Sequence, residues 1–279
     1  MDAVIRVLVN GLSREWKVPV ATENRSGSGG VLGTEIAARS APDGYTLLAT
    51  TQTHYTNAYT HGKLSYDPTK FVPVVRFTAA PLVIVAGLSA KFNNVKELID
   101  EAKLNPGKLT YASAGIGSSA HMAGALLGQL SGSNMLHVAY KEYAQSLPDT
   151  IAGRVSINAL ALPTALPLIK AGKLKAIAVT TSERVSQLPD VPTVSESGAP
   201  GYQFVPWHAM FAPPGTPPAI VQKISSSVLS LKDTPEFRRL IDVQGLVVFL
   251  DGADDFAVKL PRENATWATL IKSAGVKAD

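Results

Sequence analysis

A glycine- and serine-rich turn is the part of this sequence best suited to binding chemistry. It lies within residues 110–125, where a short apolar strand runs into a turn that opens directly into a helix. Gly115 and Gly117 let the backbone approach a ligand closely. Ser118 and Ser119 add hydroxyl donors, and the N–H groups at the start of the helix point to the same place. The pattern suits a carboxylate or a phosphate, although a strand-to-helix turn that binds nothing has the same signature.

Other polar side chains follow the ends of predicted strands, where open α/β sheets bind their ligands. The predicted ligand-binding residues are Thr50, Thr51 and Thr53 after one strand, Ser113, Gly117, Ser118 and Ser119 after a second, Tyr140 and Tyr143 after a third, and Asn158 on a fourth. These groups are neutral, and a carboxylate held by neutral donors is stabilised but can still leave. His121 lies one turn into its helix, where packing or capping is a better interpretation than catalysis.

Composition and motifs exclude several classes of function. The 279 residues are 46% apolar, enough for one large or two medium domains, and the net charge is only +4 with Lys and Arg scattered, so no nucleic-acid surface is expected. No apolar run approaches the length of about 20 residues that spans a bilayer, so the chain is not expected to be membrane-embedded. The absence of Cys and the spacing of the five His argue against disulfides and a metal site. There is no GxSxG motif or nucleotide-binding glycine pattern, so no catalytic residue and no cofactor are predicted.

Short apolar segments alternate with amphipathic helices along the chain, which is typical of α/β layering around a largely parallel sheet. The predicted strands are 18–22, 45–50, 82–86, 109–112, 136–140, 155–160, 176–180, 205–211 and 246–250. One predicted helix starts at Val95, after Asn94 and with Glu97 as its capping partner. Two extended, proline-containing stretches, 71–86 and 198–218, indicate where the chain crosses between lobes.

These crossings predict a discontinuous first lobe, 1–86 with 205–279, and a continuous second lobe, 87–204. Each lobe is expected to be a sheet flanked by helices, with a ligand cleft between the lobes.

Several short motifs occur in a characteristic order along the chain. They are Glu23-Asn24-Arg25, Ala41-Pro42-Asp43-Gly44-Tyr45, Tyr66-Asp67-Pro68, Asn105-Pro106-Gly107-Lys108-Leu109, the turn 113–121, Leu188-Pro189-Asp190-Val191-Pro192 and Ala212-Pro213-Pro214-Gly215. In this order and spacing they resemble the solute-binding proteins of tripartite tricarboxylate transporters, the Bug or TctC family, over nearly the whole chain.

The resemblance implies a two-lobed, type II-like periplasmic binding protein that is not an enzyme. Such a protein is a monomer that closes on a small organic acid, dicarboxylic or aromatic, and delivers it to the permease subunits of the transporter. One alternative is a sensor or adaptor that uses the same closure to engage a regulatory partner. A second alternative, an α/β enzyme acting on a carboxylate, has no catalytic motif to support it.

The sequence also departs from the family pattern. The family begins with a strand and a glycine-rich loop before the helix that here starts at Asp2, so the first strand of the first lobe is expected to be missing, and no signal peptide is visible. Ser26 replaces a usual proline, and Glu142 replaces a usual glycine; we expect Glu142 to face water. Ligand binding without the missing loop is left open by the sequence.

Overall fold

The computed structural model describes residues 1–25, 30–141 and 143–273. Residues 26–29 and Glu142 lie outside the described residues, so the expectations for Ser26 and Glu142 stay predictions.

The described residues form two compact units. The first unit comprises Met1–Ala79 and Trp207–Ala268, and the second comprises Ala80–Pro206 together with the helical residues from Thr269. Among the described residues, no helix combines the length and the apolar character needed to cross a bilayer.

Helices and strands are interspersed along the chain. In order they are α1 (Asp2–Trp16), α2 (Val31–Ala38), β1 (Leu48–Thr51), α3 (Thr53–Thr60), β2 (Val72–Ala79), β3 (Leu82–Gly87), α4 (Val95–Leu104), β4 (Thr110–Ser113), α5 (Ser119–Ser131), β5 (Leu136–Ala139), α6 (Ser146–Ile151), β6 (Ile157–Ala161), α7 (Leu162–Lys170), β7 (Leu174–Val179), β8 (Trp207–Ala212), α8 (Pro218–Ser230), α9 (Pro235–Gln244), β9 (Val247–Asp251) and α10 (Ala253–Ser273). Short 3-10 turns cover Pro68–Lys70, Tyr143–Gln145 and Leu231–Asp233.

The sheet of the first unit has the strand order β1-β8-β2-β9, and every pair in it is antiparallel. The prediction of a largely parallel sheet is therefore wrong for this unit. The sheet is antiparallel because of the path of the chain. Strand β8 follows the whole second unit in sequence and lies between β1 and β2, so no strand-helix-strand crossover sets its direction. Local sequence patterns carry no information about that return.

Two strand predictions in the first unit need correction. Residues 18–22 form no strand, because Pro19 lacks an N–H and the Val20 N–H donates to Ser13 Oγ (2.9 Å) instead of to a neighbouring strand. Conversely, Val72–Ala79, part of the stretch interpreted only as a crossing, is a central strand of its sheet. Pro73 and Arg76 break its apolar run and hid it from a pattern search.

The core of the first unit lies where α1, α8 and α9 pack together and against the sheet. Helix α1 contributes Val4 and Leu8, α9 contributes Phe237, and the sheet contributes Phe77, all of them at most 1% exposed. Burial of such side chains is the main favourable term in folding.

The sheet of the second unit has the order β5-β4-β6-β3-β7. Strand β4 is parallel to both β5 and β6, whereas β3 is antiparallel to β6 and β7. The carboxyl ends of β4, β5, β6 and β7 therefore meet at one edge, which we call the donor edge of the second unit. The chain enters and leaves the unit at this same edge, since the Ala80 N–H donates to Pro206 O (2.7 Å) and the Phe204 N–H to Thr180 O (2.9 Å).

Helix α4 begins as the sequence predicts. The Asn94 side chain accepts the Glu97 N–H (2.9 Å), and the Glu97 carboxylate accepts the Asn93 N–H (2.7 Å), which is a reciprocal cap. The predicted capping pair is confirmed.

Candidate ligand-binding site

The glycine and serine turn connects β4 to α5 at the donor edge, as the sequence predicts. Gly115 and Gly117 have φ of +109° and +76°, a left-handed conformation that strains any residue with a side chain. Ser118 is the N-cap of α5: its Oγ accepts the His121 N–H (3.4 Å) and donates to Gly115 O (2.6 Å). We call residues 113–118 the ligand turn. Its place at the start of a 13-residue helix gives it a positive electrostatic potential, which suits an anion.

The ligand turn is supported from inside the unit by two histidines. His121 Nδ1 accepts the Gly117 N–H (3.3 Å), and His137 Nε2 lies 2.5 Å from Ser113 Oγ. The two imidazole centroids are 4.4 Å apart, and the Tyr111 ring is 5.1 Å from His137. Burial, and secondarily the neighbouring His137, lowers the pKa of His121 to about 4, so its imidazole is neutral at pH 7. These bonds and the packing of the ring agree with the interpretation of His121 as a packing or capping residue.

Helix α5 is held close to the sheet by a glycine. Gly124 faces the ring of Tyr111 on β4, where an added Cβ would overlap the ring. The close approach fixes the helix whose first turn carries Ser119, the half-buried first residue of α5.

Tyr143 and Asn158 belong to a hydrogen-bond network within the second unit. The Tyr143 hydroxyl lies 2.5 Å from Asn158 Oδ1, and the Asn158 amide donates to Ser146 Oγ (2.9 Å) and Thr150 Oγ1 (3.2 Å). Asn158, Ser146 and Thr150 are at most 1% exposed. Burial also raises the pKa of the Tyr143 phenol, which stays neutral. The amide of Asn158 is therefore hydrogen-bonded to side chains of its own unit. Its predicted contact with a ligand stays a prediction.

Tyr140 makes one hydrogen bond with its backbone at the donor edge and another with its hydroxyl to the side chain of Asp149. Its N–H donates to Ser113 O (2.8 Å), and its hydroxyl donates to Asp149 Oδ2 (2.6 Å). Asp149 also pairs with Arg154. The hydrogen bond from Tyr140, followed by that from Arg154, lowers the pKa of Asp149.

The predicted hydroxyl run of the first unit lies at the end of β1 and the start of α3. Thr51 Oγ1 and Thr53 Oγ1 are 2.9 Å apart, and the Thr53 N–H donates to Thr51 Oγ1 (3.3 Å), while Thr50 is buried. Thr51 lies opposite His208 in the antiparallel pair of β1 and β8. The hydroxyls therefore end at the sheet edge where β8 begins and β2 ends, which is also where the chain passes to and from the second unit.

The predicted residues thus fall into three groups. Ser113, Gly117, Ser118 and Ser119 meet in one turn; Tyr140, Tyr143 and Asn158 lie on neighbouring segments of the same unit; and Thr50, Thr51 and Thr53 meet in the first unit. Sequence reasoning missed His137, whose bond to Ser113 has no signal in the sequence beyond a histidine on a predicted strand.

A buried ionic network in the first unit was also missed. Arg76, 2% exposed, donates from Nε to Asp251 Oδ2 (2.7 Å) and from a terminal nitrogen to Glu263 Oε1 (2.6 Å). The Trp207 indole N–H donates to Glu263 Oε2 (3.1 Å), and Lys259 pairs with Asp251. Burial would raise the pKa of Asp251, but its bonds to Lys259 and Arg76 outweigh burial and lower the pKa. In the part of the chain that the structure describes, no group of three or more acidic or histidine side chains could hold a metal ion.

Comparison with known proteins decides the family. The sequence profile of the family described as the tripartite tricarboxylate transporter family receptor, TctC, matches residues 4–276. The chain belongs to this family. Members of the TctC family are solute-binding receptors and not enzymes, so the predicted resemblance and the prediction of a non-enzymatic protein are both confirmed.

Relatives support the assignment over the full length. The Protein BugT of Bordetella pertussis is 30% identical over 283 residues, covering 99% of this chain and 86% of BugT. The TctC fold is equally clear in solved structures. The structure described as R. palustris Rpa4515 with adipate has a TM-score of 0.81 at 30% identity and covers 100% of this chain and 94% of its own. MatC (Rpa3494) from Rhodopseudomonas palustris with bound malate has a TM-score of 0.77 at 29% identity and covers 97% of this chain and 94% of its own. The predicted α/β binding-protein fold, with helices flanking each sheet, is confirmed.

Proposed function

We propose that this TctC protein is an extracytoplasmic receptor that captures a small organic carboxylate and delivers it to the permease of a tripartite tricarboxylate transporter. The observation that carries the proposal is the similarity, over nearly the whole chain, to structures that hold adipate and malate. Both of these acids are aliphatic dicarboxylates. The proposed ligand class is therefore a small dicarboxylate first, with aromatic acids second.

The chemistry of the ligand turn supports an anionic ligand. The turn lies at the N-terminus of α5, and the positive potential of that helix end suits a carboxylate without an opposing fixed charge. A receptor must also release its ligand, and neutral donors hold an anion less tightly than a buried ion pair would.

The connections between the units support a site shared by the two predicted lobes, 1–86 with 205–279 and 87–204. In each unit the predicted ligand-binding residues lie at the sheet edge where the chain passes to the other unit. We propose that the ligand binds in a cleft between the lobes and favours their closed arrangement, as in other hinged binding proteins.

A ligand screen tests the proposal. Purified protein is tested by thermal shift and then by calorimetry against adipate, malate, benzoate and phthalate, with ATP and glucose as controls of other chemical classes. We expect at least one acid, but neither control, to raise the melting temperature. Unchanged melting with every acid together with stabilisation by ATP or glucose would refute the carboxylate function.

The proposed partner is tested separately with the ligand-loaded protein. Capture of the membrane subunits of a tripartite transporter would support delivery. Capture of a sensor-kinase ectodomain in their place would support the sensor alternative and refute delivery.

A further inference from the structure

The ligand turn is held by a cap that uses an imidazole. His121 occupies the third position of α5, and its N–H donates to the Ser118 hydroxyl while its Nδ1 accepts the Gly117 N–H. In an ordinary capping box a glutamate or glutamine at this position plays the accepting role. An imidazole accepts only through an unprotonated nitrogen, so Nδ1 of His121 is bare and its ring proton is on Nε2.

A second imidazole holds the other end of the turn through its opposite nitrogen. His137 on β5 reaches Ser113 with Nε2, and the same Ser113 hydroxyl accepts the Gly115 N–H (2.8 Å). The two glycines of the turn are thus each fixed by one histidine, Gly117 directly and Gly115 through Ser113.

The alternative role for these rings is to fill space in the core. The two roles differ in what they require: packing requires the volume of the ring, whereas positioning requires one particular nitrogen. His121 is 2% exposed, and its ring packs against His137 and near Tyr111, so a purely packing role would depend on ring volume. A positioning role depends on one nitrogen of each ring, Nδ1 of His121 and Nε2 of His137.

We propose that His121 and His137 are positioning residues that hold the ligand turn in the shape that receives a carboxylate. Neither residue needs to touch the ligand. The inference rests on the proposed function, because the ligand turn matters for binding only if an acid binds there.

Crossed substitutions test the atoms directly. The asparagine side chain places its amide oxygen near the position of Nδ1, whereas glutamine reaches the position of Nε2. We expect His121→Asn to keep the wild-type affinity and His121→Gln to weaken it about tenfold, a loss of the size expected for one hydrogen bond. At His137 the order is reversed: His137→Gln keeps the affinity and His137→Asn weakens it about tenfold. The probe is whichever of adipate, malate, benzoate and phthalate binds the wild type most tightly.

A second readout works without any ligand. Amide hydrogen exchange measured by NMR reports whether the Gly117 and Gly115 N–H groups remain bonded. We expect His121→Gln to speed the exchange of Gly117 at least tenfold and His121→Asn to leave it unchanged, with the reverse order at Gly115 for the His137 variants.

Tyr202→Phe is the matched control. The Tyr202 hydroxyl is buried and donates to the carbonyl oxygen of Ala123 (3.0 Å). Ala123 lies on α5, the helix that carries His121, but beyond the ligand turn. We expect this variant to melt at a lower temperature with its affinity and its Gly117 and Gly115 exchange unchanged.

The outcomes separate the inference from the proposed function. Equal losses of affinity in all four histidine variants would overturn the positioning role while leaving the function intact. The same conclusion would follow if the asparagine and glutamine variants did not differ in the exchange rates of Gly117 and Gly115 as expected. Failure of the wild type to bind any of the four acids would overturn the function and the ligand-related part of the inference, and the exchange pattern would still decide whether the two histidines shape the turn.

Discussion

The two units each contain a buried polar network, and the networks are built from opposite chemistry. The network of the first unit is ionic: Arg76 bonds Asp251 and Glu263, which follow it in sequence by 175 and 187 residues. The network of the second unit is neutral and local, since Asn158 bonds Ser146 and Thr150, 12 and 8 residues away.

This difference matches the task of each unit. The first unit is assembled from both ends of the chain, and a buried ion pair that tolerates few alternative partners favours one pairing of distant segments. The second unit carries the ligand turn, and a neutral network beside that turn adds no fixed charge to compete with an anion. The comparison teaches that the buried network joining distant segments is charged, whereas the buried network of the second unit is neutral.

Removing the guanidinium should give the largest effect. Arg76→Met leaves Asp251 and Glu263 without their main partner, and we expect the free energy of unfolding to fall by about 3–5 kcal/mol. Urea denaturation measures the change. Addition of Asp251→Asn to Arg76→Met should recover part of the loss, because it removes one uncompensated charge. A loss below about 1 kcal/mol for Arg76→Met would show that the ionic network does not hold the first unit together.

Breaking the neutral network should cost less. Asn158→Leu keeps the approximate volume but leaves the hydroxyls of Tyr143, Ser146 and Thr150 without their amide partner, and we expect a loss of about 2 kcal/mol in the free energy of unfolding. Asn158→Asp is the companion variant, because it keeps the acceptor for Tyr143 and places a charge in the network. A loss for Asn158→Leu equal to that for Arg76→Met would remove the distinction between the networks.

Mild acid should act on neither network but on the buried histidine beside the ligand turn. Burial lowers the pKa of His121 to about 4 from an ordinary 6.5, so the unfolded chain binds a proton that the folded protein excludes. Stability is therefore full above about pH 6.5 and falls as the pH drops toward 4. The pKa of Asp251 lies below its ordinary 3.8, so its contribution is lost only at lower pH.

From the size of the shift, we expect His121 to account for roughly 1–2 kcal/mol lost between pH 6.5 and 5. Denaturation at the two pH values, on the wild type and on His121→Asn, measures it. Arg76→Met should lose as much as the wild type over this range, and an identical loss in His121→Asn would contradict the assignment to His121. The loss that remains in that variant comes from His54 and His208, whose pKa values burial also lowers to about 4, and from His137, whose pKa burial lowers as well.

The smallest effect is expected at the N-cap of α5. Ser118→Ala removes the acceptor for the His121 N–H and should cost about 1 kcal/mol of stability, whereas Ser118→Gly should cost only a few tenths. Thermal unfolding measures both variants. Calorimetry with the best acid then separates the cap from the ligand: equal losses of affinity in the two variants would indicate a hydroxyl that bonds the ligand, and a loss only in Ser118→Ala would indicate a cap alone.

Local features of the fold were predictable from sequence because their causes are local. The turn at Gly115 and Gly117 and the cap at Asn94 each follow from residues within four positions of one another, and the structure has both. Strand β2 was not identified, because Arg76 makes sense on a buried strand only when Asp251 and Glu263 are known to be its partners.

The candidate site was predictable only in part for the same reason. Serines at a helix start are visible in the sequence, but the contact of His137 with Ser113 depends on the pairing of β4 with β5. Asn158 was predicted as a ligand-binding residue, and the structure shows that its buried amide has partners inside the protein. Which partners it has is decided by the position of α6, and this the sequence pattern does not specify.

The position of β8 between β1 and β2 has a consequence for the order in which the protein can fold during synthesis. Every strand of the second sheet has left the ribosome once Val179 has emerged, whereas the first sheet lacks its connecting strand until Ala212 has been made. Until then β1 and β2 have no partner in common and expose unpaired strand edges. The second unit should thus be able to fold during synthesis before the first unit can. Nascent chains stalled before Trp207 should depend most on chaperones.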